Sequence, residues 1–179
     1  FRSQKPIHWC CSCRTALAEA EIEYADEKSP SIYVRFPLLD DPGTLHPALA
    51  GRRVSLVIWT TTPWTLPANL AVALHPELTY AAVESADGEV FILARDLVAR
   101  CMAAFGRPDY RVLAELPAAA LEKRRCRHPF YDREALIVLG THVTLEAGTG
   151  CVHTAPGHGR EDYEVGLAYG LEPYSPVDD

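Results

Sequence analysis

Short runs of β-branched and aromatic residues, separated by turn-forming residues, recur along most of this chain and restrict it to folds built from short strands. RVSLVIWT at 53–60 has the composition of a well-buried strand, and SADG at 85–88 is a typical hairpin turn between two further runs. Strand-like runs occupy 31–38, 53–60, 78–84, 89–94, 110–116, 134–140 and 150–156. The sequence therefore predicts roughly seven strands.

Helical patterns are fewer. TALAEAEIEY at 15–24 begins with a capping residue and is rich in helix formers, and residues 95–105 have a helical composition closed by Gly106. A further helix is predicted to begin near residue 160 and to end at Gly170. Because strands and helices do not alternate regularly, a doubly wound nucleotide-binding fold is disfavoured. We predict a mixed α+β domain with a curled or closed, β-barrel-like sheet flanked by short helices.

The composition excludes several function classes. At 179 residues, with 48% apolar and 23% charged residues, the chain is long enough to bury a core as one domain. Its net charge of -7 does not favour binding to a nucleic-acid duplex, whose phosphates are also negative. Any polynucleotide must therefore be bound through local contacts. Its apolar runs are too short to span a bilayer, and it begins without a secretory signal pattern. We expect a soluble, cytoplasmic protein without a membrane partner.

The six cysteines indicate a reducing compartment, since a chain of this length does not need a disulfide scaffold. Cys10 and Cys13 have the spacing of half a structural zinc site, but no second pair follows in the sequence. Two interpretations stay open: ordinary thiols, or a zinc knuckle completed by residues outside this chain.

The stretch WTTTPWTLPAN at 59–69 places Thr60, Thr61 and Thr62 at the exit of a predicted strand, where Pro63 ends it. Taken alone, this is compatible with a strand end made of ordinary β-formers. The alternative is a ligand site, because adjacent threonines offer hydroxyl and amide donors while their methyl groups keep the surface apolar.

A second segment, GTGCVHTAPGHGREDYEVG at 148–166, predicts a strand, a glycine-rich turn and a helix start. Asp162 falls in the first helical turn, where an acid can simply complement the helix dipole. Together with His153 and His158 it could instead form a metal or acid–base cluster, although no rigid metal-binding spacing is present. A nucleophilic pair of Cys151 and His153 is disfavoured, because nothing would orient the base and apolar neighbours would raise the thiol pKa.

Taken together, the residues resemble a known family. IWTTTPWTLPANLAVALHP at 58–76 and the segment at 148–166 are similar to the two hallmark segments of the editing (CP1) domain inserted in isoleucyl-tRNA synthetases, which are class I enzymes. WCCSCRTALAEAEIEY at 9–24 resembles the segment by which that family enters the insertion. The related valyl and leucyl enzymes carry an Arg-Pro-acid turn after the threonines, where this chain has Thr62-Pro63-Trp64. The HIGH and KMSKS signatures of aminoacylation do not occur in the sequence.

The resemblance implies an aminoacyl-tRNA deacylase, the editing part of an isoleucine–tRNA ligase without its aminoacylation site. It would hydrolyse valyl-tRNA for isoleucine with a held water, require no cofactor, and exclude isoleucine. Residues 1–179 would form a single editing domain, with 1–14 and 172–179 connecting to the parent synthetase. The expected partners are the tRNA's CCA end, its valine moiety and the rest of that synthetase, with a possible zinc ion at Cys10 and Cys13.

The resemblance also implies roles for individual residues. Thr60, Thr61 and Thr62 would contact the terminal adenosine and the ester, Asp162 would hold the α-ammonium, and His153 would line the side-chain pocket. Further substrate-binding candidates are Trp64, Asn69, Gly157 and His158. Two functions from other classes stay open: a zinc-binding interaction module at Cys10 and Cys13, and a metallohydrolase using His153, His158 and Asp162.

Overall fold

The computed structural model describes residues 5–176, which contain eleven strands and three α-helices. The strands are β1 (His8–Cys10), β2 (Thr15–Leu17), β3 (Ile32–Pro37), β4 (Val54–Thr60), β5 (Ala71–Leu74), β6 (Thr79–Ser85), β7 (Val90–Ala94), β8 (Tyr110–Pro117), β9 (Arg125–Arg127), β10 (Glu134–Leu139) and β11 (Cys151–Thr154). The helices are α1 (Val98–Ala104), α2 (Ala118–Leu121) and α3 (Arg160–Ala168). Short 3₁₀ turns occupy Glu19–Glu21, Pro42–Thr44, Pro47–Leu49, Pro63–Ala68 and Arg95–Leu97. Of the two segments predicted to connect to a parent synthetase, residues 5–14 and 172–176 are described, and the rest lies outside the described residues.

Five strands form the larger sheet, in the order β3-β4-β7-β6-β8. The predicted hairpin is confirmed, because β6 and β7 pair antiparallel on either side of the SADG turn. The inner strand β4 is antiparallel to β3 and parallel to β7. Leu56 and Ile58 of β4 have no exposed surface, as expected for a β-branched and apolar run covered on both faces.

The smaller sheet has the order β11-β5-β10-β9, and its central strand β5 is fully buried. Strand β10 runs parallel to β5, whereas β11 runs antiparallel to it and pairs His153 with Val72. Strands β5 and β9 were not predicted, because four and three residues are too few to show a period. The sequence-based prediction of the other strands that build the two larger sheets is confirmed.

The two larger sheets share one core. Strand β4 of the larger sheet lies in contact with β11 of the smaller one, and an isolated bridge between Leu38 and Cys126 joins the sheets elsewhere. A smaller apolar cluster around Ala71 and Val138 packs against Val165 of α3 and against Tyr169, which directly follows the helix, and this packing anchors α3 to the sheet. The mixed α+β class is confirmed, whereas the strand order shows no closed barrel within residues 5–176.

The predicted helix over residues 15–24 is wrong. Thr15–Leu17 instead pairs with His8–Cys10 as a small hairpin, and only Glu19–Glu21 makes a 3₁₀ turn. The segment is rich in helix formers but buries no apolar stripe, and helix propensity without tertiary packing is insufficient in a short segment. The other predicted helices are confirmed as α1, preceded by a 3₁₀ turn, and α3. Across residues 5–176, no helix combines the length and apolar character that crossing a membrane requires.

Candidate functional site

A cleft of about 440 Å³ opens where β4 and β11, one from each larger sheet, end side by side. Both conspicuous sequence segments contribute to its walls. Six of the sequence-predicted site residues line it: Thr60, Thr61, Thr62, His153, His158 and Asp162. Trp64, Asn69 and Gly157 are not lining residues, and Cys10 and Cys13 lie in the separate β1–β2 hairpin.

One wall consists of the three consecutive threonines at the end of β4. The hydroxyl of Thr60 accepts a 3.1 Å hydrogen bond from the Thr62 amide and lies 3.3 Å from the Thr62 hydroxyl. Thr61 is exposed, and its carbonyl accepts a hydrogen bond from Ser29. Pro63 begins a 3₁₀ turn in which the Thr62 carbonyl accepts from both the amide and the hydroxyl of Thr65. The proline turns the chain so that the threonines end the strand at the cleft.

His153 also lines the cleft; it is only 8% exposed and is hydrogen-bonded through both ring nitrogens. The side-chain amide of Asn69 lies 2.8 Å from Nδ1, and the Thr65 hydroxyl lies 2.8 Å from Nε2. The same side-chain atom of Asn69 lies 2.8 Å from the Ala71 carbonyl oxygen, which can only accept, so this atom is the amide nitrogen and not the amide oxygen. Nδ1 of His153 therefore accepts, and the neutral ring carries its proton on Nε2 and donates it to Thr65.

These bonds form a chain from Asn69 through His153 and Thr65 to the carbonyl of Thr62. Burial lowers the pKa of His153 to about 4, with a smaller contribution from His128 and His158. The ring is therefore neutral at pH 7, and its orientation is set from both sides. Asn69, predicted to bind substrate, is itself fully buried behind His153.

Asp162 supplies the carboxylate of the cleft. Its Oδ2 accepts a 2.9 Å hydrogen bond from the Ala155 amide, and within residues 5–176 the side chain takes part in no ion pair. Asp162 lies in the first turn of α3, as predicted, but it is partly buried, and this burial raises its pKa. A Cβ on Gly159 would approach the Asp162 carboxyl group to 3.2 Å, so the glycine makes room for this conformation.

Gly157 and Trp64 lie outside the lining of the cleft, whereas His158 lies at its exposed edge. A Cβ on Gly157 would lie 2.5 Å from the Tyr174 carbonyl oxygen, so this glycine allows the segment at 174–175 to pack against the turn. Trp64 is 62% exposed on the 3₁₀ turn. His158 is exposed, and its amide closes the turn by donating to the Ala155 carbonyl.

The floor of the cleft depends on the GTG sequence at 148–150. Gly148 and Gly150 both have φ of +75°, a conformation in which residues with a side chain are strained. A Cβ on Gly150 would lie 2.3 Å from that of Ala94, and one on Gly148 would touch Trp59 at 3.3 Å. The floor can therefore approach the larger sheet only with glycine at these positions.

Sequence reasoning assigned no role to several other lining residues, among them Trp59, Thr65, His142 and Thr144. The Nε2 atom of His142 is buried and has no hydrogen-bond partner among the described residues. His142 and Thr144 lie in an irregular segment just before the GTG sequence. The only sequence signal that could have assigned His142 and Thr144 to the cleft is their closeness to the GTG sequence, because no periodic pattern includes them.

Cys10 and Cys13 face each other in a tight turn of the β1–β2 hairpin. The Cys13 amide donates to Cys10 Sγ at 3.3 Å, and this bond lowers the pKa of Cys10. Arg14 completes the turn with φ of +51°. A structural zinc site takes four ligands, and no group of three His, Cys, Asp or Glu side chains within residues 5–176 could hold a metal. The described residues therefore fit at most half of such a site.

Comparison with known proteins places the geometry in a family. Residues 1–161 match the family described as tRNA synthetases class I (I, L, M and V). The isoleucine–tRNA ligases of Syntrophotalea carbinolica and Geobacter sulfurreducens are 63% and 64% identical over 179 and 178 residues, 99% of this chain and 19% of each relative. The chain thus spans about a fifth of the length of these curated relatives.

Solved structures agree at the level of the fold. A crystal structure described as GlLeuRS-CP1 matches with a TM-score of 0.64 at 21% identity, over 83% of this chain and 70% of that one. The P. knowlesi cytosolic leucyl-tRNA synthetase editing domain matches with a TM-score of 0.63 at 13% identity, over 74% of this chain and 59% of that one. The resemblance indicated by the two sequence segments is confirmed, and the chain belongs to the family of class I tRNA synthetases for I, L, M and V.

Proposed function

We propose that this chain hydrolyses the ester bond of valyl-tRNA for isoleucine and excludes isoleucine from the same cleft. A water oxygen attacks the ester carbonyl carbon, the bond to the ribose oxygen breaks, and a proton passes to that oxygen to give free valine and tRNA. An ester is already activated, so a held water suffices if the carbonyl is oriented and its developing charge meets donors.

The size of the cleft supports a substrate larger than an amino acid. Its volume of about 440 Å³ lies in the range of cavities that enclose ligands of drug size, so it can accommodate an aminoacyl group together with part of a nucleoside. The hydroxyls of Thr60 and Thr62 and the exposed position of Thr61 suit contacts to the ribose and the ester.

Asp162 supports recognition of the α-ammonium group. One carboxylate oxygen is held by the Ala155 amide, and no cation of the described residues pairs with the carboxylate. Because a partly buried carboxylate without a charged partner is unfavourable, a substrate ammonium bound there would gain a strong interaction.

His153 supports a steric role rather than a chemical one. Its ring lies in the cleft wall with both nitrogens hydrogen-bonded to protein groups and with its pKa far below neutrality. A group held in this way is a fixed obstacle for a substrate side chain. Overlap with a fixed wall discriminates more steeply than lost contact does, which is what separating isoleucine from valine requires.

The observation that carries the proposal is the meeting of Thr60–Thr62 with His153 and Asp162 around one cleft. The decisive experiment measures hydrolysis of valyl-tRNA and isoleucyl-tRNA for isoleucine by this chain. We expect hydrolysis of the first and protection of the second. Equal hydrolysis of both, or of neither, would contradict the proposal.

Two alternatives are separated by metal analysis. Zinc binding at Cys10 and Cys13 is favoured by the amide that donates to Cys10, and the zinc would make this hairpin a structural or interaction element. Zinc bound without hydrolysis would favour that function. A metallohydrolase built on His153, His158 and Asp162 would instead need stoichiometric metal for hydrolysis, and both nitrogens of His153 already have partners.

We further propose that the chain works as part of a larger isoleucine–tRNA ligase, since its relatives of that name are about five times longer. The rest of such an enzyme would be its protein partner, and the cytoplasm its location. A competition assay between this chain and a full-length relative for mischarged tRNA tests whether they act on the same species.

A further inference from the structure

One segment contradicts the acidic character of the whole chain. Residues 123–133, here called the basic–aromatic strip, read KRRCRHPFYDR. The strip contains five of the chain's 17 basic residues and one acid, a net charge of +4 in a protein of net charge -7. Its basic residues are Lys123, Arg124, Arg125, Arg127 and Arg133. Basic residues interleaved with aromatic ones are typical of surfaces that bind single-stranded nucleic acid.

The fold presents part of this charge on one side of an edge strand. Strand β9 is the outer strand of its sheet, and its alternation buries Cys126 while Arg125 and Arg127 point away from it. The side chains of these arginines are 52% and 58% exposed. Two of their acidic partners, Glu134 and Asp132, are exposed at 3.3 and 3.5 Å, and such exposed pairs are weak enough for a phosphate to replace. Arg125 also pairs with the half-buried Asp40 at 3.3 Å, so Arg127 has the more replaceable partner.

The aromatic part of the strip is held rigidly. Phe130 and Tyr131 are 55% and 48% exposed, with their ring centroids 4.7 Å apart. Buried His128 lies beneath them, and its Nδ1 accepts a hydrogen bond from the Tyr131 amide at 3.1 Å. Two exposed rings whose backbone is fixed form a stacking surface that loses little entropy when a base binds.

The same residues connect the strip to the wall of the cleft. The other ring nitrogen of His128 donates to the Leu66 carbonyl at 2.9 Å, and Arg133 donates to the Pro67 carbonyl at 2.6 Å. Leu66 and Pro67 belong to the 3₁₀ turn that follows Thr62, and Trp64 adds another exposed aromatic side chain on that turn. The strip therefore lies next to the threonine wall.

We propose that the basic–aromatic strip binds the single-stranded 3′ end of the tRNA whose aminoacyl ester enters the cleft, an inference that rests on the proposed function. Phosphates contact the arginines of β9, and bases stack on Phe130 and Tyr131. A single strand fits better than a duplex, because stacking needs unpaired bases and the chain as a whole is acidic.

The test measures binding of a short, fluorescently labelled single-stranded RNA ending in CCA, by anisotropy at several salt concentrations. The aromatic variant is Phe130→Ala with Tyr131→Ala, and its control is Tyr110→Ala, an exposed aromatic on strand β8 of the other sheet. The charge variant is Arg127→Gln. Its control is Arg95→Gln, because Arg95 is 57% exposed and also ion-paired.

The aromatic variant should weaken binding about fivefold or more, as expected for the loss of a stacked base. Arg127→Gln should reduce the slope of log Kd against log salt by about 0.7, the value for one single-strand phosphate contact. Neither control should change the affinity or the slope. Both effects depend only on exposed side chains, and melting curves show whether each variant is folded.

Three results would overturn the proposal: strip variants that bind like their controls, a wild-type chain that does not prefer the single strand to the same RNA in a duplex, or variants that lose only association with the rest of a synthetase. The RNA carries no amino acid, so binding is measured without ester hydrolysis. A chain that is inert toward charged tRNA would thus remove the proposed function without changing this measurement.

Discussion

The side-chain amide of Asn69 donates to Nδ1 of His153 at 2.8 Å, from a position with no exposure to solvent. Asn69→Ala would leave this nitrogen and the Ala71 carbonyl without their donor. We expect the free energy of unfolding to fall by about 1 to 3 kcal/mol, measured by urea denaturation. Thr65→Val, which removes the less buried bond on the other side of the ring, should have a smaller effect. An equal loss in both variants would contradict the ranking.

His153→Ala should open the side-chain pocket. It removes an imidazole, far more volume than the methylene that separates valine from isoleucine, so hydrolysis of isoleucyl-tRNA should rise about tenfold or more. Hydrolysis of valyl-tRNA should persist, because a steric gate does not take part in the chemistry. Both rates are measured for wild type and variant after their melting curves have been compared. A parallel collapse of both rates would instead indicate a base or metal ligand.

Asp162→Asn should separate the charge of this residue from its structural bond. Asparagine retains an oxygen that can accept from the Ala155 amide but loses the charge that would hold an ammonium. We expect kcat/KM for valyl-tRNA to fall by about 30-fold or more, in line with the loss of one partner of a desolvated charge pair. Asp162→Ala should fall similarly and also lose about 1 to 3 kcal/mol of stability. Full activity of the asparagine variant would reduce Asp162 to a structural acceptor.

Burial of His153 makes stability depend on pH. Its pKa is lowered from 6.5 to about 4, so between these values the unfolded chain binds a proton that the folded chain does not. The free energy of unfolding is therefore unaffected by this histidine above pH 6.5 and decreases as the pH falls toward 4. The total decrease is about 3 kcal/mol at most. His153→Gln should show a shallower fall of the unfolding free energy across this window. Identical slopes for the two proteins would refute the assignment.

Gly150→Ala tests the glycine floor. A Cβ there would meet Ala94 at 2.3 Å in a backbone conformation that is already unfavourable for alanine. Gly88→Ala is the matched control, because Gly88 also has positive φ, +81°, but has open space around it. We expect a loss of about 1 to 2 kcal/mol for the control and about 1 to 3 kcal/mol more for Gly150→Ala. Similar losses would show that the sheet adjusts to the added methyl group.

The strands of the larger sheet were predictable because each run is long enough to show its burial pattern and is bounded by turn residues. Strands β5 and β9 were not, since Ala71–Leu74 and Arg125–Arg127 are defined by their partners rather than by any pattern of their own. For the site, the meeting of Thr60 with Asp162 followed only from the resemblance, because the two segments are far apart in the sequence. The roles of Thr65 and Asn69 toward His153 depend on side-chain geometry, which no spacing in the sequence encodes.

The chain of hydrogen bonds from Asn69 to the Thr62 carbonyl has a mechanical consequence for the proposed exclusion of isoleucine. Atoms of an ordered protein fluctuate by about 0.5 Å along each axis, a substantial fraction of the length of the methylene that must be detected. Because Thr65 bonds to His153 on one side and to Thr62 on the other, the His153 ring and the threonine wall are tethered and tend to move together. The distance between the His153 ring and Thr62 then varies less than the position of either residue does. Two hydrogen bonds, rather than the rigidity of the whole domain, therefore set how precisely the cleft separates valine from isoleucine.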